Sequence, residues 1–391
     1  MKINFMGLWL LPSFYGLLAW STALIILILD IVHVNSISLE GWMVIGYVLI
    51  VFVAMSAAFI VRASRVLKRN YIIEVHKRDW IIFVIATLLG VAGLLKYVYD
   101  FSLIFGGFRG FFVVLFSSSL DIRSAAAETL SIGFQLSYFS WISIFFGLYF
   151  LIKTKMLFIF RVSVTLFVAL EILLNLTFID RTRPTWLFVV CVLGIYFSSG
   201  THGLRIWRPL FFIGVFPLIL FVLFSLGVGK YNADAGIYHT MLAYVVSGFG
   251  YLDSIISVGG TYDYLPIRTF YPISKVLESY GFIASIPSPV LANRNIPFET
   301  NVGTFVEPLL SDGGILFVLI GVPLVIFVVN YLSLKSFSSK SLFGLFVWSN
   351  LIFCMLISFF VPKFNSTSIY LFCSLFALLQ ILSLKSRRHF N

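Results

Sequence analysis

The sequence predicts an all-α polytopic membrane protein, and its composition carries this prediction. Of the 391 residues, 60% are hydrophobic and only 11% are charged, and the mean hydropathy is +1.03. Globular proteins keep about a quarter of their residues charged, so this chain has too few charged side chains to cover an apolar core in water. The apolar residues stand in long unbroken runs, whereas the strands of a membrane β-barrel alternate. Because helices satisfy their own backbone hydrogen bonds in lipid, we predict a bundle of membrane-spanning helices.

About ten apolar runs approach or reach the roughly 20 residues that a helix needs to cross a bilayer. We predict spans at residues 8–31, 42–61, 80–99, 129–152, 156–179, 185–199, 209–228, 313–333, 342–361 and 367–384. The three cysteines lie inside these runs and are interpreted as small apolar side chains. The sequence has no nucleotide-binding or zinc-binding motif, so we expect no cofactor and no metal site.

The basic residues predict the orientation of the spans. With an even number of spans both termini share one side, and we predict that this side is the cytoplasm. The cytoplasmic segments then carry most of the 27 basic residues, and the outer segments carry most of the 16 acidic residues. This is the asymmetry that the positive-inside rule describes. The net charge of +11 therefore reports topology, and we expect membrane lipids but no nucleic acid as partners.

The predicted topology divides the chain into three parts. They are an N-terminal bundle of seven spans at 1–228, a large periplasmic loop at 229–311, and a C-terminal bundle of three spans at 312–391. The apolar segment 103–119 is interrupted by glycines and Arg109, and a span there would destroy the charge asymmetry. We therefore predict an interfacial or re-entrant segment near residues 101–120. Within the large loop, residues 239–258 and 272–286 are predicted to form short amphipathic helices against the membrane face.

The end of the large loop concentrates acidic residues. The segment IPFETNVGTFVEPLLSDGG at 296–314 contains Glu299, Glu307 and Asp312. Thr300 or Asn301 is suited to cap a short helix over about residues 302–310, whose apolar residues recur at helical spacing. Two glycines then allow a sharp turn into the next span. A solvated loop also needs carboxylates, and on residue types alone we favour that simpler interpretation.

Four arginines on the outer side favour a function instead. Outer loops are expected to be poor in basic residues, and arginine is suited to bidentate recognition of phosphate. The residues are Arg181, Arg183, Arg268 and Arg294. Contacts with lipid headgroups or local carboxylates are the alternative explanation. Below the first pair, the predicted span 156–179 carries Glu171 and Asn175 on one face, which indicates either a functional group inside the membrane or a helix-to-helix contact.

These features resemble the bacterial Wzy proteins, which polymerise O-antigen and oligosaccharide repeat units. The segment ETNVGTFVEPLLSDGGILFVLIG at 299–321 is similar to the end of the large loop in that family. There, an Asn-x-x-Thr element precedes an Asp/Gly-containing start of the next span. Here the matching residues are Asn301 to Thr304 and Asp312 to Gly314. The likeness in architecture covers nearly the whole chain, whereas the likeness in residues covers this segment and the scattered arginines.

The resemblance implies a GT-C-like glycosyltransferase in the bacterial inner membrane. In such a reaction, a glycan on undecaprenyl diphosphate is transferred to a new lipid-linked repeat unit at the periplasmic face, and undecaprenyl diphosphate leaves. The implied partners are undecaprenyl-diphosphate-linked oligosaccharides and a membrane protein that regulates chain length. The leaving diphosphate needs cations, which the four arginines would supply. The acceptor hydroxyl needs a general base, for which Glu299 is the first candidate and Asp312 the second. Further predicted substrate contacts are Tyr262, Tyr264, Tyr271, Asn301, Thr304 and Glu171.

Two rival functions remain open from the sequence. An O-antigen ligase, which delivers glycan to the lipid A core, has a similar architecture but uses a loop histidine, and His239 stands too early in the loop to match it. A flippase for lipid-linked sugars belongs to a different class. It predicts a charged central cavity, internal symmetry and small loops, so the large outer loop counts against it.

Overall fold

The computed structural model describes twelve stretches of the chain. They are residues 5–29, 36–68, 73, 75–117, 132–178, 182–198, 219, 236–259, 264–287, 291, 294–296 and 299–388. Among these residues the regular structure is helical, apart from one hairpin of two very short strands.

The helices follow a short 3-10 turn at Phe5–Leu10. They are α1 Pro12–Ile28, α2 Leu39–Lys68, α3 Lys77–Ile104, α4 Phe108–Ser117, α5 Ile132–Leu136, α6 Phe139–Lys153, α7 Phe158–Leu176, α8 Thr182–Ser198, α9 Gly236–Val258, α10 Tyr271–Ser279, α11 Glu307–Ser338, α12 Leu342–Leu356 and α13 Thr367–Arg388. The strands β1 Arg294–Asn295 and β2 Glu299–Thr300 pair antiparallel between α10 and α11.

The predicted class of helical multi-pass membrane protein is confirmed. Among the described residues, six helices are long and apolar enough to cross a membrane: 39–67, 77–104, 132–153, 158–176, 239–258 and 307–338. Four shorter helices are also apolar, at 12–28, 182–198, 342–356 and 367–383. Nine of these ten helices coincide with predicted spans, whereas 239–258 is not predicted to be one. The remaining predicted span, 209–228, lies outside the described residues apart from residue 219. The number of spans and their orientation stay predictions.

The chain forms two compact units. The first unit comprises residues 1–70, 232–339 and 350–391, and the second comprises 71–231 and 340–349. The three-part division predicted above is one of membrane topology and stays a prediction. In space, the N-terminal hairpin α1–α2 belongs with α9, α10, α11 and α13, whereas α3 to α8 belong with the first half of α12.

The first unit is held by a buried polar network and an aromatic cluster. Asn330 of α11 accepts a hydrogen bond from the Ser13 backbone N–H (3.1 Å) and donates to the Ser13 hydroxyl (2.9 Å), which also contacts the Ser56 hydroxyl at 2.8 Å. These contacts join α11 to both arms of the α1–α2 hairpin. Around Trp20, the rings of Phe52, Phe249 and Phe305 pack edge-on at centroid distances of 6.1, 5.1 and 5.7 Å. Such interhelical packing and hydrogen bonding replace the hydrophobic driving force in lipid.

Helix α9 is one 23-residue helix instead of the short surface helix predicted over 239–258. It has the length and composition of a span, and it contacts both arms of the α1–α2 hairpin. Near its start, Ala243 and Val246 pack against the C-terminal residues Ile26 and Leu27 of α1. Near its end, Asp253 accepts hydrogen bonds from Ser38, just before α2. Between these contacts, Phe249 packs on Trp20 in the middle of α1, at a centroid distance of 5.1 Å. The placement of this helix against the membrane face stays a prediction.

The predicted short helix over 302–310 is wrong at its start. Residues 301–304 are not helical, and α11 begins at Glu307. The reason is that the Phe305 backbone N–H bonds to the Ser358 carbonyl (2.8 Å), which draws this segment away from a helical path. The predicted sharp turn is present at Gly314, whose φ of 63° and ψ of −156° suit only glycine. It separates residues 307–312 from the long membrane helix that follows.

Pro323 lies inside α11 and leaves the Leu319 carbonyl without its helical partner, because proline has no backbone N–H. Tyr47 of α2 donates its hydroxyl to this carbonyl at 2.6 Å. The contact fixes the register of α2 against α11 at the proline.

We expect Tyr47→Phe to lower the melting temperature of the purified protein in detergent. The substitution removes one interhelical hydrogen bond and leaves the carbonyl unpaired, a loss of about 1 kcal/mol. Thermal unfolding measures it, with Tyr280→Phe at an exposed position as the matched control. Equal melting temperatures for the two variants would show that the Tyr47 bond contributes nothing.

In the second unit, glycines bring helix backbones into contact. A Cβ on Gly90 or Gly93 of α3 would lie 2.6 Å from the backbone N of Ser140 or Ser137, respectively. On the other side, a Cβ on Gly133 of α5 would lie 2.6 Å from the backbone N of Tyr97. Small residues at a helix interface allow this close approach.

The segment predicted near 101–120 is broken, as expected, where Gly106 and Gly107 adopt positive φ angles. The ten-residue α4 that follows packs back on α3 through Phe111.

Candidate functional site

A turn before α10 presents Arg268. Three hydrogen bonds from two side chains hold the backbone of residues 268 and 269. The two carboxylate oxygens of Asp312 accept the backbone N–H groups of Arg268 (2.9 Å) and Thr269 (2.7 Å). From the segment before α13, the Asn365 side-chain amide donates to the Arg268 carbonyl at 2.9 Å. Asp312 is buried at the end of the first segment of α11, directly before the Gly314 turn. The kink in α11 therefore delivers the carboxylate that orders the arginine.

The Arg268 side chain is less constrained than its backbone. The whole side chain is 29% exposed, and its Nη1 lies 3.7 Å from Oε1 of the buried Glu307. The same Glu307 oxygen accepts a hydrogen bond from Ser311 at 2.7 Å. A buried carboxylate thus lies beside a partly exposed arginine. The paired N–H donors of a planar guanidinium match the geometry of a phosphate group.

Arg294 reaches the same place from the hairpin. Its Nη1 donates to the Ser254 hydroxyl at 2.7 Å, and its guanidinium lies 5.2 Å from the centre of the Tyr251 ring. Tyr251 and Ser254 are neighbours on one face of α9. Besides burial, the charges of Arg294, Glu307 and Arg268 contribute to the pKa of the Tyr251 phenol, which places all three in its surroundings. Two of the four predicted arginines therefore converge. We use the name arginine site for the group formed by Arg268, Arg294, Tyr251, Ser254, Glu307, Asp312 and Asn365.

The general-base candidates have different surroundings. Asp312, the second candidate, uses both oxygens to hold backbone N–H groups, so its described contacts are those of a positioning residue. Glu299 stands in β2 opposite Asn295, one residue pair from Arg294. Its side chain lies outside what is described, and its role stays a prediction. Glu307, to which the sequence argument gave no role, is the carboxylate that contacts Arg268.

The predicted substrate contacts of the loop are spread over it. Tyr262 and Arg181 lie outside the described residues. Tyr264 is exposed, with a positive φ of 53°, and Tyr271 begins α10, where burial raises the pKa of its phenol. Thr304 is fully buried, and its hydroxyl accepts the Val306 backbone N–H at 3.3 Å, so it supports the chain before α11. Asn301 is partly buried beside this segment.

The other two predicted residues lie in the second unit. Arg183 is buried, with its guanidinium carbon 3.7 Å from the centre of the Phe178 ring and 4.5 Å from that of Phe134. Its Nη1 donates to Ser137 at 3.2 Å. Glu171 is fully buried on α7. For both residues, contact with a substrate stays a prediction.

Sequence reasoning missed four members of the arginine site: Glu307, Tyr251, Ser254 and Asn365. The spacing of Tyr251 and Ser254 on one helix face was visible, but nothing in the sequence paired that face with Arg294. Asn365 stands in an Asn-Ser-Thr sequence that resembles a glycosylation site, which gives no hint of its bond to Arg268.

The fold and this site define a class, a helical multi-pass membrane protein with an arginine cluster between its helices and a long connecting segment. No protein-family model, curated protein or solved structure matches the chain.

Proposed function

We propose that this protein is a surface-polysaccharide polymerase of the Wzy type. It joins undecaprenyl-diphosphate-linked repeat units at the periplasmic face of the bacterial inner membrane. The observation that carries the proposal is the arginine site, where Arg294 packs on Tyr251, Arg268 lies beside Glu307, and Asp312 fixes the Arg268 turn. Preorganised cations are what a departing diphosphate needs.

In the proposed reaction, the acceptor sugar hydroxyl attacks the anomeric carbon of the donor glycan. A new glycosidic C–O bond forms while the bond from that carbon to the diphosphate oxygen breaks. The electron pair leaves with undecaprenyl diphosphate, and the hydroxyl proton passes to a carboxylate. Arg268 and Arg294 stabilise the charge that grows on the leaving diphosphate, and because they are already in place they need little reorganisation.

The choice of carboxylate is part of the proposal. Glu299 remains the first candidate, because its strand pairs with the strand of Arg294. Glu307 joins it because its carboxylate lies 3.7 Å from the Arg268 guanidinium. Asp312 is assigned to positioning, since its oxygens already hold the Arg268 turn. The proposed partners are the lipid-linked donor and acceptor, the surrounding membrane lipids and a chain-length regulator.

A polysaccharide gel from cells that lack this gene tests the function. We expect the ladder of long chains to collapse to a single-unit band, and a plasmid copy of the wild type to restore the ladder. A ladder that persists in the deletion strain would refute a polymerase. Loss of all surface glycan, including the single-unit band, would instead favour a ligase or a flippase.

A further inference from the structure

The second unit contains a buried polar seam between three helices. Glu171 and Asn175 on α7 face Ser140 on α6, and Asn175 donates to the Ser140 hydroxyl at 2.9 Å. Gly90 of α3 closes the other side, since a Cβ there would lie 2.9 Å from a Glu171 carboxyl oxygen and 2.7 Å from the Ser140 Cα. Glu171 is 0% exposed and Asn175 is 3% exposed. We call Thr87, Ser140, Ser143, Glu171 and Asn175 the polar seam.

The hydrogen-bond donors beside Asn175 are already committed. Its amide nitrogen has two hydrogens. One goes to the Ser140 hydroxyl and the other to the Glu171 backbone carbonyl, at 2.9 and 2.8 Å. The Ser140 hydroxyl gives its own hydrogen to the Ser137 carbonyl at 2.6 Å. None of these hydrogens remains for the Glu171 carboxyl group.

The hydroxyls beside Glu171 supply at most one hydrogen to it. Thr87 donates its hydrogen to the Phe83 carbonyl at 2.8 Å, and its hydroxyl lies 2.6 Å from that of Ser143. Ser143, which lies beside Glu171, has one hydrogen to share between the Thr87 oxygen and the Glu171 carboxyl group.

The seam is consequently a cluster of acceptors. Both carboxyl oxygens of Glu171 and the side-chain oxygen of Asn175 are buried and have no hydrogen-bond partner among the described residues. An unpaired buried acceptor is costly, and an uncompensated buried carboxylate is more so. A positive charge or a proton at this position would satisfy these oxygens and balance the carboxylate.

Neighbouring side chains do not supply that charge. From α8, Arg183 donates to Ser137 and stacks on Phe178, and within the described part of the chain it forms no ion pair with Glu171. From α3, Tyr97 also stacks on Phe178, at 3.9 Å. The titratable groups Asp79 on α3 and Tyr149 on α6 interact with each other farther along these helices, about three turns from Gly90.

We propose that Glu171 and Asn175 form a buried binding site for one monovalent cation, a proton or a sodium ion. A single carboxylate balances a single charge, and an all-oxygen set of carboxylate, amide and hydroxyl groups suits a hard cation. Divalent ions take more oxygen ligands, usually including several carboxylates. A proton on Glu171 would be donated to one of the seam oxygens, whereas a sodium ion would be coordinated by several of them. The site does not depend on the polymerase proposal.

Thermal unfolding of the full-length protein in detergent tests this site, with wild type, Glu171→Gln and Glu40→Gln compared. Glu40 is an exposed carboxylate and serves as the matched control. In one series, sodium chloride replaces choline chloride at constant ionic strength. In the other, sodium-free buffer runs from mildly acidic to mildly alkaline pH. Glutamine at residue 171 keeps the shape, removes the charge and supplies donors to the seam.

If sodium fills the site, the melting temperature of wild type and Glu40→Gln rises by several degrees with sodium. If a proton fills it, their melting temperature falls as pH rises, because losing the proton leaves a buried charge. In either case Glu171→Gln responds less than wild type in that series, by the contribution of residue 171. A wild type that responds no more than Glu171→Gln in both series would overturn the proposal.

A second variant keeps the test valid if Glu171→Gln does not accumulate. Asn175→Asp adds a second carboxyl group to the seam. We expect its melting temperature to depend on sodium or pH more steeply than that of wild type, and an unchanged dependence would refute the cation site.

Discussion

Arg268→Ala is expected to abolish polymerisation, so that cells carrying it show only the single-unit band on a polysaccharide gel. Arg268 supplies a partly exposed guanidinium to the arginine site, and three hydrogen bonds fix the backbone of Arg268 and Thr269. Removing one preorganised charge-stabilising group typically costs about 100-fold to 1,000-fold in rate. Because the backbone bonds to Asp312 and Asn365 do not involve the side chain, the protein should still fold and reach the membrane.

Two further variants test whether the effect is specific to the Arg268 guanidinium. Arg268→Lys keeps the charge but loses the planar fork, so we expect shorter chains in reduced amount. Arg109→Ala removes an exposed arginine from the segment after α3 and should leave the ladder intact. Protein level in the membrane fraction is measured for all three by immunoblot. A normal ladder in Arg268→Ala at wild-type level would remove Arg268 from the mechanism.

Asp312→Ala is expected to reduce polymerisation nearly as much as Arg268→Ala, although Asp312 need not touch the substrate. The substitution removes the acceptors of two backbone N–H groups, one of them on the buried Thr269. Each bond to a charged acceptor contributes about 1.5–3 kcal/mol, so the turn that presents Arg268 should lose its fixed conformation. The melting temperature in detergent should fall together with activity.

A double-mutant comparison separates positioning from base catalysis. Asp312→Ala is measured in the wild type and in the Arg268→Lys background, with densitometry of the ladder as the readout. If Asp312 acts through Arg268, it reduces polymer strongly in the first case and little in the second, because the two residues work as one unit. Losses that multiply would instead indicate an independent role, such as the general base that the sequence suggested.

The sequence predicted the membrane class because hydropathy is a property of whole segments. Nine of the ten predicted spans coincide with helices, although their ends shift: α2 extends to Lys68, beyond the predicted boundary at residue 61. The start of α11 was misplaced because the apolar spacing of residues 302–310 also fits a buried extended segment. The hydrogen bond from Phe305 to Ser358 favours the extended segment over the helix. The local sequence pattern cannot show this bond, because the two residues are far apart in the chain.

The arginine site was predictable only in part. Arginines in outer segments are unusual, and that signal identified Arg268 and Arg294. Their convergence on Tyr251, and the bonds from Asp312 and Asn365 to the Arg268 backbone, join residues 44 and 97 positions apart or connect separate loops. Such pairings depend on tertiary packing. For the same reason, Asp312 looked like a candidate base when the structure gives it the contacts of a positioning residue.

Polymer formation by the purified protein tests the central claim most directly. Lipid-linked repeat units extracted from the deletion strain would be added to wild type in proteoliposomes, with Arg268→Ala as the control. We predict chains longer than one unit, the release of one undecaprenyl diphosphate for each bond formed, and no product with Arg268→Ala. Single units that persist unchanged with wild-type protein, purified from cells in which it restores the ladder, would contradict a polymerase.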